Sequence, residues 1–337
     1  MKADEERTSQ VSVGYLPQQD DDQQADRSPS RALRSRPGWW LQLYPHMLIE
    51  DVHTGIMPFL RAPGTSCQVR LDPPDAGIEG LLAKAVPSSA SWGAYTHRDL
   101  TEAVFDFVRD VAWMIMNDGL AFYEVVYVFG ETEDQAAAFR LCYIPTYSVV
   151  PKQGALLQEV PVEVAERVGC PLTVKLPQED IVTFQLPYYV RQGYWRMMDL
   201  LSRASRPVMP KWAMDVSAGL AKGPAYDFQN HRRDQEEVVA LATRCIGWNA
   251  RGLVSDAILE YYYLWRYLRF EEFKIRLRDE IVGALNTAVR RAGDRLGFAG
   301  AVVLDGFPTL DHIRTARTGL RSGSMAFKEI MDLFSEI

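Results

Sequence analysis

The side chains able to ligate a metal, attack a carbonyl or move a proton are five histidines, four cysteines and a large set of carboxylates. His46, His53, His97, His231 and His312 share no metal-ligand spacing, and no H-E-x-x-H occurs. Cys67, Cys142, Cys170 and Cys245 are scattered without a C-x-x-C pair, so they read as reduced, mostly buried thiols. Arg321-Ser322-Gly323-Ser324 lacks the outer glycines of a nucleophile elbow and falls between helices. Gly293, Gly297 and Gly300 follow a helix, whereas a dinucleotide fingerprint follows a strand. No G-x-x-x-x-G-K-[ST] phosphate loop is present. Glu124 shares a strand face with Phe122 and Val126. It reads either as an edge or arginine-paired carboxylate or as a catalytic acid. These residues imply no cofactor, no metal and no enzyme.

Two other groups of residues suit binding. Ile246-Gly247-Trp248-Asn249-Ala250-Arg251-Gly252 is a loop whose glycines bracket an amide and a guanidinium. Trp248 reads as its anchor, since an indole buries much area. Tyr261-Tyr262-Tyr263, Trp265 and Tyr267 place aromatic rings around more than one helix face. That leaves a helix buried all round or a subunit interface rich in Tyr and Trp, and Tyr261, Tyr262 and Trp265 are the expected interface residues. Base stacking has little support, because only Arg266 and Arg269 stand near. His231-Arg232-Arg233 reads as a solvated helix face.

The elements that would position these residues follow from pattern. The chain has 337 residues, 47% hydrophobic and 24% charged, with a formal net charge of −7. It can bury a sizeable core, and it has no dense basic run to grip phosphates. The start, Met1-Lys2-Ala3-Asp4-Glu5-Glu6, is polar, so no secretory signal is expected. No apolar run approaches the roughly 20 residues that span a bilayer, so folding in the cytoplasm is expected.

Residues 1–36 combine Asp20-Asp21-Asp22 with serines, prolines and arginines and predict a disordered tail. Order begins at Trp39-Trp40. Six prolines between there and Trp92 predict short strands, turns and one short helix near 80–85. Leu100, Val104, Phe107, Val111 and Ile115 predict a helix over 98–117, begun near Thr96 and stopped by Asp118-Gly119. Strands follow over 120–129 and 138–144, as a hairpin with a polar turn at 131–135. A helical turn is expected at 162–168, a strand at 180–186 and helices at 194–205 and 228–245. Ser255 can cap a very long helix over 257–291, followed by a strand at 297–304 and two short helices.

Three stretches, taken in order, resemble the portal proteins of tailed bacteriophages. The first is the helix ending in Asn117-Asp118-Gly119 and the strand Leu120-Ala121-Phe122-Tyr123-Glu124-Val125-Val126. The second runs from Phe139-Arg140-Leu141-Cys142-Tyr143-Ile144-Pro145 to Gln178-Glu179-Asp180-Ile181-Val182-Thr183-Phe184. The third is the long helix with Phe270-Glu271-Glu272-Phe273 and Leu285-Asn286, then a strand, then Thr318-Gly319-Leu320-Arg321-Ser322-Gly323 before a last helix. The chain departs from that family in a short segment between Leu200 and Phe228. Its loop before the long helix also carries Ile246-Gly247-Trp248 where the family has proline.

The resemblance implies an α+β, portal-like fold: a sheet-containing wing or body, stem helices and a long C-terminal helix. Its divisions would be a tail at 1–36, a wing-like body at 37–193, a stem or clip-like segment at 194–227 and a helical region at 228–337. It implies a homo-oligomeric ring, typically of twelve subunits, at one capsid vertex of the virion. The partners would be the major capsid protein, the terminase motor, a head–tail adaptor and double-stranded DNA in the channel, with no membrane. Asn249 and Arg251 would then face that DNA during packaging and ejection. Two rivals stand beside it: another head or neck structural protein, and a hydrolase or nucleic-acid enzyme with dispersed acidic residues.

Overall fold

A computed structural model of the chain describes residues 42–57, 67–87, 99–129, 136–152, 155–205, 228–250 and 260–335. The expected tail, Trp39-Trp40, Thr96, the turn at 131–135, Arg251 and Ser255 lie outside those residues. The described residues form two compact units whose segments alternate along the chain. One is built from 68–185 and 280–305, the other from 37–67, 186–279 and 306–337.

In the first unit, helix α3 (Leu100–Asp118) starts where the Asp99 carboxylate accepts from the Glu102 N–H at 2.7 Å. It ends at Gly119, whose φ of 79° lets its N–H return to Ile115 O. Leu100, Val104, Phe107, Val111 and Ile115, the helical stripe read from the sequence, are all buried, and Val108 beside them is too. Strand β2 (Leu120–Phe129) follows at once and pairs antiparallel with β3 (Ala136–Ile144). Strand β7 (Ile181–Gln185) adds to its other side, giving the order β3-β2-β7. Glu124 is therefore on the central strand, opposite Cys142 on one side and Ile181 on the other, and not at a sheet edge. Phe107, Tyr123 and Phe184 meet edge to face at 5.3–5.5 Å beneath that sheet.

The rest of this unit is smaller. Strands β4 (Val149–Lys152), β5 (Ala155–Glu159) and β6 (Thr173–Leu176) form an antiparallel sheet with helix α4 (Val162–Val168) between the last two. Strand β1 (Gln68–Asp72) pairs with β8 (Ala301–Asp305), and Arg70 binds Asp305 across them. Helix α2 (Ala76–Ala85) begins earlier than its apolar pattern suggested, because Asp75 caps Gly77 and Ile78.

The second unit is helical. Helix α1 (Leu43–Gly55) corrects the expectation of short strands and turns. Pro45 lies in its first turn, where an N–H has no intrahelical partner to lose. The Tyr44 N–H nearby is accepted by Ser205 Oγ at 2.9 Å. Helices α5 (Tyr188–Arg191), α6 (Tyr194–Ala204) and α7 (Phe228–Ala242) precede α8 (Glu260–Leu296). Helix α8 has 37 residues, about 55 Å at 1.5 Å per residue. Its residues up to Asp279 belong to this unit and those from Glu280 to the first. Leu264, Leu268 and Ile275 form a core with Ile313, Ala316 and Leu320 of α9 (Leu310–Ser322) and Ile330 of α10 (Phe327–Ser335).

Candidate loop and interface surface

The loop after α7 is built against α8 by one glycine and one arginine. Gly247 has φ +76°, in the region that disfavours L side chains. A Cβ there would lie 2.3 Å from Arg266 O and 2.5 Å from Arg269 Cβ, so only glycine lets the backbones approach. Arg266 is 2% exposed. Its Nε donates to Asn249 Oδ1 at 2.9 Å, its Nη1 to Ala240 O at 3.0 Å and its Nη2 to Thr243 Oγ1 at 2.9 Å and to Trp248 O. Ala240 O belongs to the last turn of α7, where carbonyls lack helical partners and attract cations. Among the described residues these acceptors are all neutral. Burial therefore pushes the guanidinium below its usual pKa, opposed by a hydrogen bond with Tyr262.

Two of the loop residues described beyond Gly247, Trp248 and Asn249, are held in place by hydrogen bonds. Trp248 is 2% exposed and donates its indole N–H to Asp51 Oδ2 of α1 at 2.9 Å. Asn249 accepts from Arg266 and donates its amide to Tyr263 O at 3.2 Å. A carboxamide has two donors and two lone pairs, so among the described residues one of each is left over. Arg251 lies outside the described residues.

The aromatic positions divide between faces. Tyr267 meets Phe334 at 6.2 Å, on the core side, where Trp265 is also packed. Tyr261 and Tyr262 are 44% and 43% exposed, so this end of α8 is not buried all round. Tyr262 stacks on Trp265 at an interplanar angle of 12°, and Arg269 lies 4.7 Å over the Trp265 ring.

A run of charged residues that sequence reasoning did not single out continues down α8. Glu271 lies 2.8 Å from Lys274. Burial pushes its carboxyl above the usual range, opposed by Lys274 and a hydrogen bond from Tyr267. Its neighbour Glu272 faces Arg276 of its own helix and Arg317 of α9. Burial would raise it, but those two guanidiniums hold it below the usual range. Arg276 also lies 5.8 Å over the Tyr189 ring. Arg278 is 4% exposed and donates to Pro308 O at 2.6 Å; burial lowers its pKa. The i,i+3 spacing of Glu271 and Lys274 and the i,i+4 spacing of Glu272 and Arg276 were visible in sequence; the approach of Arg317 and the burial of Arg278 were not.

The groups first weighed for chemistry stay apart. Among the described residues no three His, Cys, Asp or Glu side chains converge on a metal position. His312 caps α9 at Thr309. The four cysteines are free, but only Cys67 is buried; Cys142, Cys170 and Cys245 are half-buried, which corrects the expectation. Arg233 is exposed, while the side chains of His231 and Arg232 lie outside the described residues. No described helix is long and apolar enough to cross a membrane.

No protein-family model matches this chain, and no curated protein matches it. Among solved structures it is similar to the crystal structure of an HK97-family phage portal protein from Corynebacterium diphtheriae, at 10% sequence identity and a TM-score of 0.42, over 82% of this chain and 99% of that one.

Proposed function

We propose that this chain is a portal-type subunit that closes into a ring at a capsid vertex and conducts double-stranded DNA during packaging and ejection. The observation that carries the reading is the exposed aromatic start of α8, with Tyr261 and Tyr262 at 44% and 43% exposed. Two exposed tyrosines, one of them stacked on a tryptophan, are the composition of a subunit interface. The order of elements supports it: helix, left-handed glycine and strand, then the hairpin, then a 37-residue helix followed by a strand and two helices.

In this reading the wing-like body covers 37–193, the stem or clip-like segment 194–227 and the channel-loop and long-helix region 228–337. Arg251 offers a guanidinium to passing phosphates, and Asn249 offers the amide hydrogen left over from its internal bonds. Trp248 anchors the loop. One light contact per subunit suits DNA that must slide, because each neutralised phosphate adds affinity. The capsid protein, the terminase motor and a head–tail adaptor are the partners of such a ring in the virion.

Native mass measurement of the purified full chain tests the reading, with a closed ring as the expected result. A monodisperse monomer at micromolar concentration in several salts overturns it. Within the ring, Arg251→Ala is expected to leave assembly intact and reduce DNA packaged or retained. Unchanged packaging by that variant removes the loop's role.

A further inference from the structure

Tyr262, Trp265, Arg269, Glu272 and Arg276 recur on α8 at alternating spacings of three and four, so they share one face. The structure ties them together: Tyr262 on Trp265, Arg269 over Trp265, and Glu272 beside Arg276 and Arg317. Tyr189 joins this stripe beneath Arg276, and its neighbour Tyr188 is 71% exposed. The stripe thus interleaves the exposed Tyr262, Tyr188 and Tyr189 rings and half-buried Trp265 with three guanidiniums against one carboxylate.

A second surface of the same unit has the opposite character. On α7, Asp234, Glu237, Val238 and Leu241 stand at i, i+3, i+4 and i+7 and all face solvent. Val238 is 38% and Leu241 63% exposed. An acidic and apolar helix face is the complement of an aromatic and basic one.

Resting on the ring reading above, we infer that the occupant of the α8 stripe is a second copy of this chain, presenting the Asp234–Glu237–Val238–Leu241 face of its α7. Two different faces in contact make a heterologous interface, the kind that closes a ring by repetition. Leu241 and Val238 cover the Tyr188, Tyr189 and Tyr262 rings, and Asp234 and Glu237 meet Arg269 and Arg276. Nucleic acid is the poorer occupant. A duplex backbone offers no apolar side chains to cover the Tyr188, Tyr189 and Tyr262 rings, and three guanidiniums beside Glu272 are too few cations to grip phosphates.

Charge exchange between full-length chains tests this. Asp234→Arg/Glu237→Arg gives α7 a basic face, and Arg269→Glu/Arg276→Glu gives the stripe an acidic one. Each double variant alone opposes like charges and is expected to lose assembly, with an apparent dissociation constant raised at least about tenfold. An equimolar mixture makes every contact complementary if the copies alternate, so rings should return in the mixture only. Leu241→Arg changes a position that faces solvent and should block assembly with an unchanged unfolding midpoint, which keeps the test independent of the Glu272 cluster. Wild-type rings with both double variants still assembling alone would sink this interface and leave the ring reading standing. A wild-type monomer would sink both. Loss of binding to a labelled DNA duplex by the stripe variant, with the α7 variant assembling normally, would assign the stripe to nucleic acid instead.

Discussion

The Arg266 guanidinium donates to the Asn249 side chain at 2.9 Å, across 17 residues of sequence. That bond, with those to Ala240 O, Thr243 and Trp248 O, makes a buried cation the common fastening of the α7 end and the loop that follows it.

Replacing Arg266 is therefore expected to cost more than a surface arginine would. Arg266→Met leaves several buried acceptors without a donor, each worth roughly 1–3 kcal/mol. We expect a loss of about 3 kcal/mol in unfolding free energy, read from urea denaturation. Arg266→Lys should recover only part, since an ammonium cannot reproduce the planar fork. A loss under about 0.5 kcal/mol for Arg266→Met would mean that the fastening contributes little.

Two glycines, Gly247 and Gly283, should respond in opposite directions. Gly247→Ala puts a Cβ against Arg266 O at a φ of +76°, so a destabilisation of at least about 2 kcal/mol is expected. Gly283 lies within α8 with nothing inside 4 Å of a built Cβ. Gly283→Ala should stabilise by about 0.5–1 kcal/mol. Thermal unfolding of the two variants beside the parent checks both signs.

The adjacent carboxylates Glu271 and Glu272 should give opposite pH dependences. Glu272 is held below its usual range, so its contribution is present above the unfolded pKa and lost as pH falls through the folded one. The deficit of Glu272→Gln relative to the parent should shrink toward acid. Glu271 is raised, so the folded chain binds its proton more tightly and stability declines as pH rises from the unfolded to the folded pKa. Glu271→Gln should remove that decline. Unfolding free energies across about pH 2 to 8 distinguish the pair, and parallel profiles for the two variants would contradict the assignment.

Much of the element order was legible in the sequence because it rests on local rules. The stripe from Leu100 to Ile115, the left-handed Gly119 and the alternating β-branched and aromatic residues after it act between near neighbours. So does the proline-free run that becomes α8. Helix α1 escaped because Pro45 reads as a breaker until its place in the first turn is known. The middle position of β2 escaped because hydrophobic alternation does not say which strand lies on either side.

The sequence by itself determined that the known catalytic spacings are absent and that α8 carries more aromatic residues than one face can hold. Tertiary structure alone decided which of those rings stay in solvent: Trp265 and Tyr267 turn toward α9 and α10, and Tyr261 and Tyr262 do not. It alone brought Arg266 to Asn249 and Arg317 to Glu272. The physical reason is range. Helix period and turn chemistry act within a few residues, whereas desolvation and charge pairing depend on groups the chain brings back from far away. Hence Glu271 and Glu272, neighbours of the same type, shift in opposite directions.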